Sequence, residues 1–245
     1  MEFGTFNIDF SWNSMNSFLP IIIALLGFII YWFLAQSTKI KNSFYKKHKP
    51  DQASIKHILF TKYTGFIWMG VIPCLICLFL MPEYGLSDYG FYIEPKSTFT
   101  SFAWIIGLSI IVIPLVSYSA RQPKNLINYP QIRAKEWDKK LKIKNALGWA
   151  AYLLGYEFLF RGILLFPLYH ELGVWPAIAI NTALYSATHI PKGLDETIGA
   201  IPLGIILCIL TLMTNTIWIA FIVHVIMAWT NTFTALKHHP NMKSV

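Results

Sequence analysis

Charge is what this 245-residue chain has least of. Asp, Glu, Lys and Arg together make up 13% of it, about half the share usual in a soluble domain. A soluble fold of this size needs a charged skin that these residues are too few to provide. Acidic residues are scarcest, 12 against 20 Lys and Arg. Cysteine is scarce too. Cys74, Cys77 and Cys208 all lie in apolar runs, so the C-x-x-C at 74–77 reads as core packing rather than a redox or metal motif. Several catalytic signatures are missing. The chain has no H-E-x-x-H zinc helix, no G-x-S-x-G elbow and no glycine-rich phosphate loop. Nor is there an internal repeat or a low-complexity tract. A disordered chain is excluded by 16% aromatic and 55% hydrophobic residues.

What is present is apolar length. A bilayer core needs roughly 20 apolar residues per helix. Seven stretches come near that, at 18–35, 63–81, 99–118, 146–169, 174–190, 199–214 and 217–236. The expected fold is therefore an all-α, polytopic membrane helical bundle of about seven transmembrane helices. The first stretch does not read as a cleavable signal peptide, because residues 1–17 hold Glu2 and Asp9 but no Lys or Arg. The basic residues set the orientation. Seven lie in 36–62, eight in 119–145, one in 191–198 and two beyond 236. With the N-terminus outside and the C-terminus cytoplasmic, all of these fall on the cytoplasmic side. The net charge of +8 is then topological, and no nucleic-acid partner is implied. The 119–145 loop, with Trp137 among its charges, fits either an amphipathic helix on the inner leaflet or a solvated connector.

One acid and one base sit well inside an apolar span, Glu157 and Arg161. Ionisable groups at bilayer depth are costly and mark a functional site by default. Their i, i+4 spacing also suits a purely structural ion pair. His189 and His224 fall in two later spans, and a glutamate with two histidines can activate water for attack on a carbonyl. Counting about 1.5 Å per residue from the helix ends puts Glu157, His189 and Asn231 on one level, with Arg161 and His224 further out. Two histidines and a glutamate are also a zinc set. Zinc is disfavoured here because each ligand would come from a separate helix, and no cofactor is expected.

Tyr156-Glu157-Phe158-Leu159-Phe160-Arg161-Gly162, then Tyr185-x-x-x-His189, then His224, resemble the three motifs of the CPBP family. That family comprises the type II CAAX prenyl proteases and related bacterial intramembrane glutamate endopeptidases, also called the Abi family. The stretch Tyr84–Phe91 is similar to a segment common in bacterial members. The resemblance divides the chain into a 1–83 region with two transmembrane helices and an 84–245 peptidase-like core, within one membrane domain. It implies a metal-independent intramembrane glutamic endopeptidase in a bacterial plasma membrane, acting on a membrane-bound or lipid-tethered peptide, prenylated or not. Carried over, Glu157 matches the second glutamate, His189 the histidine that holds the water, His224 the histidine at the oxyanion and Arg161 the arginine that orients the carboxylates. With the first glutamate, the usual base, replaced by Tyr156, Glu157 is the expected general base. The sequence departs from the pattern at Tyr156, where a first glutamate is usual, at Tyr185 in place of Phe, and at Ala228 in place of Asn. Asn231, one turn beyond Ala228, is the candidate replacement at the oxyanion. The departures keep a second reading open, a non-catalytic scaffold or bacteriocin self-immunity protein of the same fold. A transporter is the least supported alternative, since no inverted repeat is present.

Overall fold

A computed structural model describes residues 15–93 and 95–245. The N-terminal acids Glu2 and Asp9, on the segment expected outside, lie beyond the described residues, as does Glu94. The chain is helical nearly throughout. The helices are α1 (Phe18–Ala35), α2 (Thr38–Lys47), α3 (Pro50–Phe66), α4 (Ile72–Leu80), α5 (Thr98–Ala120), α6 (Pro123–Leu126), α7 (Lys139–Glu157), α8 (Phe166–Leu172), α9 (Val174–Ala187), α10 (Leu194–Thr214) and α11 (Trp218–His238). Among the described residues two short strands, β1 (Glu136–Trp137) and β2 (Lys243–Ser244), pair in parallel.

Two wide, π-helical segments join helices into longer rods. Ile67–Val71 links α3 to α4, and Phe158–Leu165 links α7 to α8. Each ends just before a proline, Pro73 or Pro167. A proline lacks the N–H that would bond four residues back, and its ring crowds that carbonyl. Widening the turn relieves the crowding without breaking the rod. The Ile72 N–H accordingly reaches the Ile67 carbonyl, five residues back.

Among the described residues, six helical rods are long and apolar enough to cross a membrane, including Pro50–Leu80 and Lys139–Leu172. The expected seventh, 174–190, is corrected. It is α9, with 14 residues, about 21 Å long and short of a core about 30 Å thick. Gly173, at φ 82°, breaks the rod before it. Pro191 disfavours helix at the residue before it and so closes α9 early. The chain nonetheless changes ends along α9. Glu171 lies beside Asn16, while Asp195 pairs with Lys124 at the far end.

The rods therefore alternate between two ends. One gathers Gly90 and Tyr92 on Thr216, and Ser97 on Thr214. The other gathers the basic loops. There Ser54 accepts from the Arg133 N–H, Asp51 from the Lys135 N–H, and β1 meets β2. At this basic end the 119–145 segment forms no long amphipathic helix. Trp137 is buried in a small cluster with Ile132, Leu141 and Leu236, and Asp138 caps α7 by accepting from the Leu141 N–H at 2.7 Å.

The rod Lys139–Leu172 is the axis of the bundle and is buried along most of its length, whereas α5 lies at the periphery. Phe99, Ile110, Ile111 and Leu115 of α5 are exposed, as side chains bathed in lipid are. The axis touches the α3–α4 rod backbone to backbone. A Cβ on Gly155 would lie 2.9 Å from the Phe66 Cα, so only glycine allows this approach. The result fixes the π-helical segment, and with it Glu157 and Arg161, in the middle of the core.

Candidate active site

The Glu157 and Arg161 side chains are fully buried, with 3.4 Å between the Arg161 Nη1 and the Glu157 Oε2. That contact is electrostatic. Neither atom has hydrogen-bond geometry to a described residue, and the same holds for Arg161 Nε and Nη2. The guanidinium lies over the Tyr185 ring, 4.2 Å from its centroid, where the face of the ring attracts a cation. Glu157 Oε1 accepts a hydrogen bond from His224 Nδ1. The other ring nitrogen, Nε2, is 3.1 Å from the Tyr185 hydroxyl. Glu157, Arg161, His224 and Tyr185 thus form one closed set from three helices.

His189 belongs to a neighbouring set. Its Nδ1 donates to the Tyr185 carbonyl at 3.0 Å, since a carbonyl can only accept. That choice of tautomer leaves Nε2 as the lone-pair nitrogen. The Thr188 hydroxyl donates to the same carbonyl at 2.7 Å, so it accepts from the Tyr156 hydroxyl 2.8 Å away. Tyr156, in the place of the family's first glutamate, is therefore held as a hydrogen-bond donor. Asn181, fully buried on α9, donates to the Phe160 carbonyl and accepts from the Cys208 thiol. It anchors the π-helical segment from outside.

His189, His224, Tyr156, Ala228 and Asn231 line one cavity of about 310 Å³. Asn231 accepts from the Asn125 amide at 3.0 Å, which leaves its own NH₂ to donate. Among the described residues it makes no hydrogen bond to the glutamate; it shares the cavity with the two histidines. Two sequence expectations shift here. Glu157 and His224 are in contact rather than on separate levels, because depth counted from each helix end ignores that the rods start and stop in different planes. In addition, Glu157 lines neither of the two main cavities. Its hydrogen-bond partner His224 does line the cavity.

The sequence left Tyr185 as a mild replacement and gave Thr188 and Asn181 no role. The Tyr185 hydroxyl was the available signal, because a buried hydroxyl in an apolar helix needs a partner. Among the described residues, no group of three or more His, Cys, Asp or Glu is arranged to hold a metal.

Residues 146–230 match the family model of the type II CAAX prenyl endopeptidases, Rce1-like. The match includes Glu157, Arg161, His189 and His224 and stops one residue short of Asn231. No curated protein and no solved structure gives a match. Over 146–230 the chain carries a domain of the Rce1-like, type II CAAX prenyl endopeptidase (CPBP/Abi) family.

Proposed function

We propose that this protein is an intramembrane peptidase, metal-independent, whose cavity receives a membrane-bound or lipid-tethered peptide. The basic end would face the cytoplasm of a bacterial plasma membrane. The observation that carries the reading is the shared cavity, which His189, His224 and the Asn231 amide line together. In the proposed reaction His189 Nε2 takes a proton from water, and the water oxygen adds to the scissile carbonyl. The proton then passes to the leaving amine as the tetrahedral intermediate collapses. The Asn231 amide is the donor available to the oxyanion, and His224, as the imidazolium paired with Glu157, would add its Nε2–H. Glu157 acts here through His224, and Arg161 holds the carboxylate in place.

A second reading has its own observation. Glu157 is enclosed by Arg161 and His224 and has no direct opening, as a structural ion pair in a non-catalytic scaffold or immunity protein would be.

His189→Gln separates the two better than Glu157→Gln, which would strand a buried guanidinium. Purified wild type and His189→Gln are incubated with prenylated and plain membrane peptides, with and without EDTA. Under the peptidase reading, wild type cleaves with EDTA present, and His189→Gln loses cleavage while melting at the same temperature. Full activity in His189→Gln refutes the proposed base. A well-folded wild type inert on every peptide favours the second reading.

A further inference from the structure

A second cavity, larger than the one His189 and His224 line, lies beside it among the described residues. It opens at the basic end, holds about 550 Å³ and is walled by α1, α3, the 128–133 loop and α7. Lys41, Lys62, Arg133 and Lys192 line it, with Glu196 as the acid in the wall. Four cations against one carboxylate leave a strong positive excess.

Two of its groups are buried and under-used. Lys62 is 2% exposed, and its ammonium donates to the neutral Gln131 Oε1 at 3.0 Å. It sits 3.1 Å from the centre of the Trp149 ring. Among the described residues no carboxylate lies within ion-pair distance of Lys62, although buried lysines are almost always paired. An ammonium has three donors, so donors remain beyond Gln131. His57, 8% exposed, lines the same cavity, and its Nε2 has no hydrogen-bond partner among the described residues.

We propose that this cavity is a phosphate site, and that the phosphate is that of an anionic phospholipid headgroup. A phosphate brings several acceptor oxygens and a charge that the ammonium of Lys62 lacks in a carboxylate. Basic pockets between transmembrane helices at the cytoplasmic side bind anionic headgroups. This cavity lies at the end where the basic loops gather, with Phe28, Tyr31 and Trp32 of α1 in its wall. The aromatic side of the cavity suits the glycerol and upper acyl region. Tyr129, Trp149, Tyr152 and Tyr156 also line the histidine cavity, so a bound headgroup would brace that wall. The inference stands whether or not the protein cleaves peptides.

The test titrates the purified full chain in non-ionic detergent with phosphatidylglycerol, phosphatidylcholine and inorganic phosphate, read by native mass spectrometry and melting temperature. The expected result is saturable phosphatidylglycerol binding that raises the melting temperature, with phosphatidylcholine at least ten-fold weaker. Lys62→Met should weaken binding ten-fold or more. Lys41→Gln, at an exposed position that tolerates change, should weaken it about five-fold, the worth of one cation near an anionic surface. Equal binding of the two lipids, or phosphatidylglycerol binding unchanged in Lys41→Gln, overturns the proposal. Inorganic phosphate saturating the site at micromolar concentration would reject a lipid as the source. Phosphate inert below the millimolar range supports it.

Discussion

Removing one partner of the Glu157–Arg161 pair should cost more than removing both. Arg161→Met leaves a fully buried carboxylate facing only His224, and takes away the cation over the Tyr185 ring. Breaking a buried pair from one side costs about 3–5 kcal/mol, and the lost cation–π contact is included in that. Glu157→Gln leaves the guanidinium, none of whose nitrogens has a hydrogen bond among the described residues, so a similar loss of about 3–5 kcal/mol is expected. The double variant Glu157→Gln/Arg161→Met removes both charges and puts a thioether of fitting length beside Tyr185. It avoids an unpaired buried charge and should lose about 2 kcal/mol or less. The coupling in the double-mutant cycle is then several kcal/mol, above the roughly 0.5 kcal/mol seen between independent sites. At about 2–4 °C per kcal/mol for a chain of this size, each single variant should melt roughly 6–20 °C lower. The assay is thermal and denaturant unfolding of the four proteins in one detergent. Additive single-variant losses would refute the argument, since they would mean that neither charge depends on the other.

Two further outcomes follow from the packing. Tyr185→Phe removes the hydroxyl on His224 Nε2 and should cost about 1 kcal/mol, measured by the same unfolding experiment; an unchanged or raised stability would mean that the contact carries nothing. Gly155→Val places a Cβ 2.9 Å from the Phe66 Cα, where backbone cannot yield. It should lose about 3 kcal/mol or more and most of the monodisperse protein in size-exclusion chromatography, whereas Gly107→Ala, in open space, should elute as wild type.

Much of the site was legible because polar residues are conspicuous in apolar spans. Glu157, Arg161, His189 and His224 stand out in the sequence for that reason, and the structure gathers them within one region of the core. Their roles were less legible. Nothing in the spacing of 157 and 224 says that Glu157 is closed off behind an imidazole, because that depends on how α11 lies against α7. Tyr185 was undervalued for a similar reason, since its hydroxyl has meaning only beside His224.

By itself the sequence determined an all-helical membrane protein, the approximate place of most of its rods, the gathering of basic loops at one end and the residues around which a site could form. These depend on local quantities: apolar run length, charge in the loops and the rarity of ionisable groups in lipid. Tertiary structure decided the rest. It shortened the fifth segment to 14 residues, widened two helices ahead of Pro73 and Pro167, and buried Trp137 in a loop cluster. It also put Lys62 and His57 in one cavity with Lys192, far along the chain. Each of these depends on which rod lies against which, a long-range relation that spacing along one chain does not carry.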